Sequence, residues 1–377
     1  MVHRRIELQQ LLQKKSVLLL GPRGTGKSFY IRNQLKDHHT INLLRSDVYL
    51  KLQQNPEQLE DIVQAHPRKL IVIDEIQKIP QLLDEVHRLI EEQKIRFLLT
   101  GSSARKLKAS SVNLLAGRAW LAKMFPFSSE ELGLDFSLDR ALKYGTLPAI
   151  WLSGDPREEL DAYVQTYIES ELKAEGIIRK VPAFSRFLKT AALMSGELLN
   201  FQNVSSDAAV PASTVKEHYK ILEDTLVGHC LEPWLDSKKR KAISTGKFYF
   251  FDIGVLNFLS GVFPESESSP VYGNRFEHFI VNEVLCANSY LRAKKDLRFW
   301  RSTSNFEVDL IFGDTAIEIK STTRVSPKHL NGLKALMDEK RMKKYVLVSR
   351  DKTEAKSNGI HCLHYKDFLR LLWDGKI

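Results

Sequence analysis

The segment GPRGTGKS over residues 21–28 has the spacing G-x-x-x-x-G-K-[ST]. The apolar run VLLL precedes it and the helix-forming FYIRNQL follows it, which is the strand–loop–helix setting that such a loop needs. Gly21, Pro22, Arg23, Gly24, Thr25 and Gly26 would curl so that backbone N–H groups face the phosphates of a nucleoside triphosphate at a helix N-terminus. Lys27 supplies a point charge to the β and γ phosphates, and the Ser28 hydroxyl is a ligand for magnesium. The run LIVID at 70–74 ends in the acid pair Asp74-Glu75, 46 residues after Ser28. Asp74 is placed to hold the magnesium through water and Glu75 to orient and polarise the attacking water, so the pair implies hydrolysis rather than binding alone. Thr100 and Ser102, ending RFLLTGSS, are expected to sense the γ-phosphate or hold that water, with an ordinary strand-end cap as the alternative. Arg105 and Arg118 follow, and Arg118 is preferred as the arginine presented to a neighbouring subunit's nucleotide. A surface ion pair is the alternative for each.

A second set of residues lies near the C-terminus: Glu277, Asp309 and the pair Glu318-x-Lys320. Asp309 and Glu318, nine residues apart, are expected on adjacent strands of a hairpin through Gly313-Asp314, which would let two carboxylates hold one magnesium ion. Lys320 lies on the strand face of Glu318 and is placed to orient or deprotonate the metal-bound water, while Glu277 reaches the same ion. A structural ion pair is the alternative to metal-ion chemistry here.

The elements that must position these residues can be read from the hydrophobic pattern. VLLL (17–20), LIVID (70–74) and RFLLTG (96–101) read as parallel strands buried on both faces, with the amphipathic helix PQLLDEVHRLIEEQ (80–93) between the last two and a further strand in AWLAKMF (119–125). This α/β unit covers 1–130. A helical stretch, read as a lid, covers 131–182, with Tyr163, Tyr167 and Ile168 on one face. Over 183–259, three helices (184–196, 203–210, 213–226) precede strands HCLEPW (229–234) and KFYFFD (247–252). That is a helix-turn-helix with a wing, SKKRK at 237–241. Val215, Tyr219, Leu222 and Leu226 form the apolar stripe of its third helix, and Thr214 with Glu217 has capping-box spacing. Lys216, Lys220, Lys238, Lys239, Arg240 and Lys241 suit phosphate contact, diluted by Asp207, Glu217, Glu223 and Asp224. The Ser/Pro/Glu-rich 260–273 reads as a linker. After it, 274–377 holds a helix at 275–291 and strands at 297–302, 306–312, 315–321 and 344–349.

Composition narrows the class. The net charge of +10 is concentrated in 270–377, where 20 basic residues face 13 acidic ones, which points to a polyanionic partner such as DNA. No run is long and apolar enough for a bilayer span, so a cytoplasmic protein with no membrane partner is expected. Cys230, Cys286 and Cys362 are scattered and odd in number, which excludes a disulfide framework. Trp120, Trp151, Trp234, Trp300 and Trp373 read as packing anchors, and His38-His39 lacks companions for a metal site.

GPRGTGKS, VIDEIQKIP, LLTGSSARKL and LLAGRAWLAKMFPFS together resemble AAA+-type ATPases of bacteria and archaea, and more narrowly those with a C-terminal domain of unknown function. SGELLN, STVKEHYKILEDTLV, EPW, KFYFFDIGVLNFL, GNRFEHFIVNEV, FEVDLIF and AIEIKST extend the resemblance over nearly the whole chain. It implies an α/β chain built as a P-loop NTPase parallel sheet with a helical lid, then a winged helix, then a nuclease-like α/β domain. ATP and Mg2+ are the implied cofactors. The resemblance sets Arg118 at the arginine-finger position and implies a homo-oligomer, of which a hexameric ring is one form. Glu277, Asp309, Glu318 and Lys320 resemble the PD-(D/E)XK nuclease core. KYGTLPAIW departs from the pattern with Thr146, where relatives often have a second Gly. The expected function is an ATP-hydrolysing protein that remodels or translocates on DNA, with magnesium-dependent DNA cleavage open. A nucleotide-driven switch or scaffold with a silent nuclease fold is the alternative.

Overall fold

The computed structural model describes residues 2–67, 69–103, 105, 115, 117–168 and 181–377. The chain forms two compact units, Met1–Pro126 with Ile221–Val227, and Phe127–Lys220 with Gly228–Ile377.

The first unit runs α1 (Leu8–Lys14), β1 (Ser16–Leu20), α2 (Lys27–Gln34), β2 (His38–Asn42), α3 (Ser46–Gln54), α4 (Gln58–Ala65), β3 (Leu70–Asp74), α5 (Leu82–Gln93), β4 (Phe97–Gly101) and β5 (Ala119–Lys123). Its five strands are ordered β2-β3-β4-β1-β5 and every pairing is parallel. Alternation sends Leu18, Leu20, Ile71, Ile73 and Leu99 to one face, under Leu52, Leu59, Val63 and the α5 stripe Leu82, Leu83, Val86 and Leu89. Val17, Leu19, Val72 and Leu98 are as deeply buried on the opposite face, so these strands read as unbroken apolar runs. Each such side chain contributes roughly 1.5–3 kcal/mol. Strand β4 lies between β1 and β3, so the ends of β1, β3 and β4 come together at one edge of the sheet. The strand β2 was not expected: in HHTIN only Ile41 is fully buried, and His39 stacks on His66 at 3.6 Å between ring centroids.

The second unit begins with α6 (Ser129–Leu132), α7 (Leu138–Tyr144), α8 (Pro148–Leu152) and α9 (Pro156–Tyr163), whose last residue leads into a π-helical turn. The remainder of the expected helical stretch, 169–180, lies outside the described residues, as do the side chains of Tyr167 and Ile168. Next come α10 (Val181–Leu193), α11 (Phe201–Ala208), α12 (Ala212–Asp224, whose last residues from Ile221 on are counted with the first unit), β6 (Gly228–Pro233), β7 (Lys247–Phe250), α13 (Ile253–Ser260) and α14 (Pro270–Tyr290). The unit finishes with β8 (Leu297–Arg301), β9 (Glu307–Phe312), β10 (Thr315–Ile319), α15 (Asn331–Met337), β11 (Lys344–Ser349), β12 (Ala355–Ser357), β13 (Ile360–His364) and α16 (Tyr365–Trp373).

Four expectations change here. First, α12 starts at Ala212, so Thr214 sits inside the first turn and is not its cap. Second, α14 starts at Pro270, with Ser269 accepting the Tyr272 amide at 3.1 Å, so the last residues of the expected linker are helix. A Ser-Pro pair is itself a helix start, with Pro at a position that needs no N–H donor. Third, the β6–β7 hairpin is not a separate sheet: β6 pairs with β8, giving the eight-stranded order β12-β13-β11-β10-β9-β8-β6-β7. That pairing covers an edge that would otherwise lie open. Fourth, Thr146 needs no glycine's freedom, because it is not among the residues with positive φ, and its amide donates to Asp252 Oδ2 at 2.8 Å.

Candidate functional site

The phosphate loop is built by the close packing at its base. A Cβ on Gly21 would lie 2.4 Å from the Met124 carbonyl oxygen, and Gly26 turns into α2 at φ 92°. Thr25 is fully buried and its hydroxyl donates to the Pro22 carbonyl at 2.8 Å, which locks the curl. The Lys27 ammonium is folded into the loop, donating to the Gly21 and Pro22 carbonyls at 2.6 and 3.1 Å. Those carbonyls hold it beside the cradle.

Asp74, at the end of β3, is joined to Ser28 and Thr100. The Ser28 hydroxyl donates to Asp74 Oδ2 at 3.0 Å and the Thr100 hydroxyl donates to Oδ1. Ser28 and Asp74 therefore present adjacent oxygens, the donor set a hard divalent cation prefers. Glu75 follows with φ 65° and ψ 46°, a left-handed conformation that costs a non-glycine residue about 1–2 kcal/mol. Its amide donates to Thr100 Oγ1 at 3.2 Å, and its Oε2 accepts from Ser102 Oγ at 3.2 Å and from Gln77 Nε2. Gln77 also donates to Ser102 at 3.0 Å, which ties the three side chains together. The sequence reading missed Gln77. Its signal was faint, a polar residue between Ile76 and Lys78 that is buried while Lys78 is exposed. Thr100 and Ser102 face the two acids in this structure, a positioning arrangement. Arg118 is ion-paired to Glu91, whose pKa is lowered by that hydrogen bond and charge, and Arg105 is half-buried after β4.

In the second unit, Asp309 on β9 and Glu318 on β10 are brought together by the β9–β10 hairpin. Lys320 Nζ lies 2.6 Å from Glu318 Oε1 and 3.3 Å from Asp309 Oδ2, and the Ile319 amide donates to Asp309 Oδ2 at 2.7 Å. Glu318 Oε2 is buried with no hydrogen-bond partner. Burial, reinforced by the Asp309 charge, holds the Glu318 carboxyl well above the usual range. Burial alone would lower Lys320, but Asp309 and Glu318 outweigh it and raise its pKa. Glu277, on α14, has its Oε1 against Lys247 Nζ at 3.4 Å and the Tyr249 hydroxyl at 2.8 Å. Lys247 also reaches Glu307 Oε1 at 2.7 Å. Lys247, Tyr249 and Glu307 were not anticipated, although a lysine opening the apolar run KFYFF was a visible anomaly. Among the described residues no three His, Cys, Asp or Glu side chains are arranged to hold a metal ion, which leaves Asp309 and Glu318 as a carboxylate pair. The orphaned Glu318 oxygen beside Asp309 fits a divalent cation there.

The basic loop is anchored by a buried acid. Backbone N–H groups of Lys238, Lys239 and Arg240 donate to the Glu339 carboxylate at 2.8, 2.9 and 3.1 Å. Arg240 bonds the Ala335 carbonyl and Asp338, which leaves Lys238, Lys239 and Lys241 exposed. Lys216 and Lys220 are exposed on α12, with the Lys216 ammonium 5.3 Å from the centre of the Phe201 ring.

Residues 13–133 match the family described as AAA domain, and with the parallel sheet and the loop geometry this supports an AAA-type P-loop ATPase core, which implies nucleotide binding. Residues 135–266 and 272–368 match two families described as domains of unknown function, DUF8612 and DUF4143. Two uncharacterized mycobacterial proteins, one of Mycobacterium bovis and one of Mycobacterium tuberculosis, are each 27% identical over 248 residues, covering 64% of this chain. The chain spans about half the length of these relatives, 55% of each. Among solved structures, the Aeropyrum pernix ORC2 protein in its ADP form aligns at 12% identity and a TM-score of 0.30, covering 59% of this chain and 84% of that one. Drosophila ORC bound to AT-rich DNA and Cdc6 aligns at 10% identity and a TM-score of 0.24, covering 68% and 89%. No helix among the described residues is long and apolar enough to cross a membrane.

Proposed function

We propose that this chain is an ATP-hydrolysing AAA-type ATPase that acts on DNA as a homo-oligomer. In this reading 131–182 is the lid, 183–259 a winged-helix-like DNA grip and 274–377 a nuclease-like domain. The observation that carries the hydrolase reading is the connected set Ser28–Asp74–Thr100–Glu75, in which the cation-binding and water-directing acids are fixed by one hydroxyl. Lys27 exchanges its loop carbonyls for phosphate oxygens when nucleotide binds. A magnesium ion held by Ser28 and Asp74 would neutralise phosphate charge. Glu75, held by Ser102 and Gln77, orients the attacking water, and Arg118 of a neighbouring copy faces the transferred phosphoryl group. The DNA reading is supported by the basic excess of 270–377 and by the exposed lysines of the Glu339-anchored loop.

A second activity, divalent-metal-dependent phosphodiester cleavage, is favoured by the orphaned, buried Glu318 oxygen beside Asp309 and Lys320. Asp309 and Glu318 would hold the ion, and Lys320 would orient the attacking water.

The test is steady-state ATP turnover with single-stranded, duplex and branched DNA, with Lys27→Ala protein as background. Severalfold stimulation by one DNA form is expected. Slow turnover indifferent to every DNA would replace this reading with the nucleotide-driven switch or scaffold.

A further inference from the structure

The second unit's acidic cluster divides into two halves, each with its own lysine. In one half Lys320 joins Asp309 and Glu318; in the other Lys247 joins Glu277 and Glu307. The halves are not equivalent. Lys320 is about a third exposed, and its partner Glu318 keeps one buried oxygen with no hydrogen-bond partner. The Lys247 side chain is only 5% exposed, with its Nζ 5.4 Å from the centre of the Phe299 ring. Both of its carboxylates have further partners. Tyr249 donates to Glu277, and Arg301 Nη1 lies 3.2 Å from Glu307 Oε2.

Sites that use two divalent ions place them roughly 3.5–4 Å apart, so a second ion needs carboxylates beside the first. Here Glu307 lies two residues before Asp309 on β9, and Glu277 lies close enough for the Asp309 and Lys320 charges to act on it, yet both already face the Lys247 ammonium. Displacing Lys247 would leave a buried cation without its counter-charges, which is strongly disfavoured. We propose that Lys247 is a resident cation standing where a second divalent ion would otherwise bind, so that this site accepts one divalent ion, at Asp309 and Glu318. The inference rests on reading Asp309 and Glu318 as an ion-binding pair. Tyr249 and Lys247 come from the hairpin that precedes the terminal domain in sequence, so the hairpin completes the site.

The experiment is titration of the nucleotide-free protein with Mn2+, counting bound ions per chain from the electron paramagnetic resonance signal of the free hydrated ion. The ions that belong to this site are those lost when Asp309→Asn is combined with Glu277→Gln. The expected result is one such ion in the wild type and two in Lys247→Met, which keeps the side chain's length and removes its charge. Two in the wild type, or one in a folded Lys247→Met, overturns the inference while leaving the ion-binding pair standing. No Asp309-dependent ion at millimolar Mn2+ overturns the pair and the inference with it. If Lys247→Met does not fold, the wild-type count decides.

Discussion

The hydroxyl of Thr100 couples to Asp74 as a donor while accepting the amide of Glu75 at 3.2 Å, so a single buried side chain on β4 sets the position of both acids at the end of β3. Replacing Thr100 by Val keeps its shape and removes both bonds. Nucleotide affinity is expected to stay within a few-fold, while kcat falls about 10- to 100-fold as the acids lose their placement. Measuring kcat alongside the Kd of a non-hydrolysable ATP analogue separates the two, and an unchanged kcat would show that Thr100 is only a strand-end cap.

The roles proposed for Lys27 and Glu75 fall at different stages. Lys27→Ala should abolish ATP binding, whereas Glu75→Gln should bind ATP and lose roughly 10²- to 10⁴-fold in turnover. Equilibrium binding of a fluorescent ATP analogue, paired with phosphate release, checks both, and wild-type turnover in either variant refutes the assigned role.

The Arg118–Glu91 ion pair is at the surface and screened by water, so its loss changes stability little. Arg118→Ala is therefore expected to fold and bind ATP but turn it over at least 10³-fold more slowly. Mixing it with Glu75→Gln should restore part of the activity, because an Arg118→Ala subunit keeps its own Glu75 and borrows its neighbour's arginine. Two inactive proteins that stay inactive when mixed would exclude action between subunits.

Glu283 is buried beneath α6, accepting Ser129 N and Oγ, both at 2.7 Å, and Trp373 Nε1 at 3.1 Å. Burial pushes its carboxyl from 4.5 up to about 7, against those hydrogen bonds. Because the folded value is the higher one, the stability from this group is complete below pH 4.5 and lost as pH rises through 7. The loss by pH 8 is on the order of 3 kcal/mol. Urea unfolding of the wild type and Glu283→Gln at pH 5 and pH 8 should show a steeper decline for the wild type. Parallel declines would contradict the assignment.

The P-loop unit of this protein could be read from its sequence because its chemistry is local: Gly21 to Ser28 are consecutive, and Asp74-Glu75 end an apolar strand that announces itself. What escaped was structure whose signal is spread over distance. β2 has one fully buried residue and no apolar run, so nothing marked HHTIN as a strand until its neighbour Ile71–Ile73 was in place. Lys247 and Tyr249 belong to the Glu277 cluster only because β6 pairs with β8, a parallel contact across more than sixty residues that no local pattern encodes. The start of α14 was misplaced for a different reason. Ser-Pro signals both a break and a beginning, and composition alone favoured the break.

Glu75 occupies a backbone conformation that Gly or Asn would adopt with less strain. Any campaign that enriches variants by heat resistance alone will therefore tend to drive position 75 toward those residues and discard the carboxylate proposed to direct the water. A thermostabilised form of this protein should be selected with turnover in the screen, or with position 75 held constant, because at this one residue robustness and chemistry pull in opposite directions.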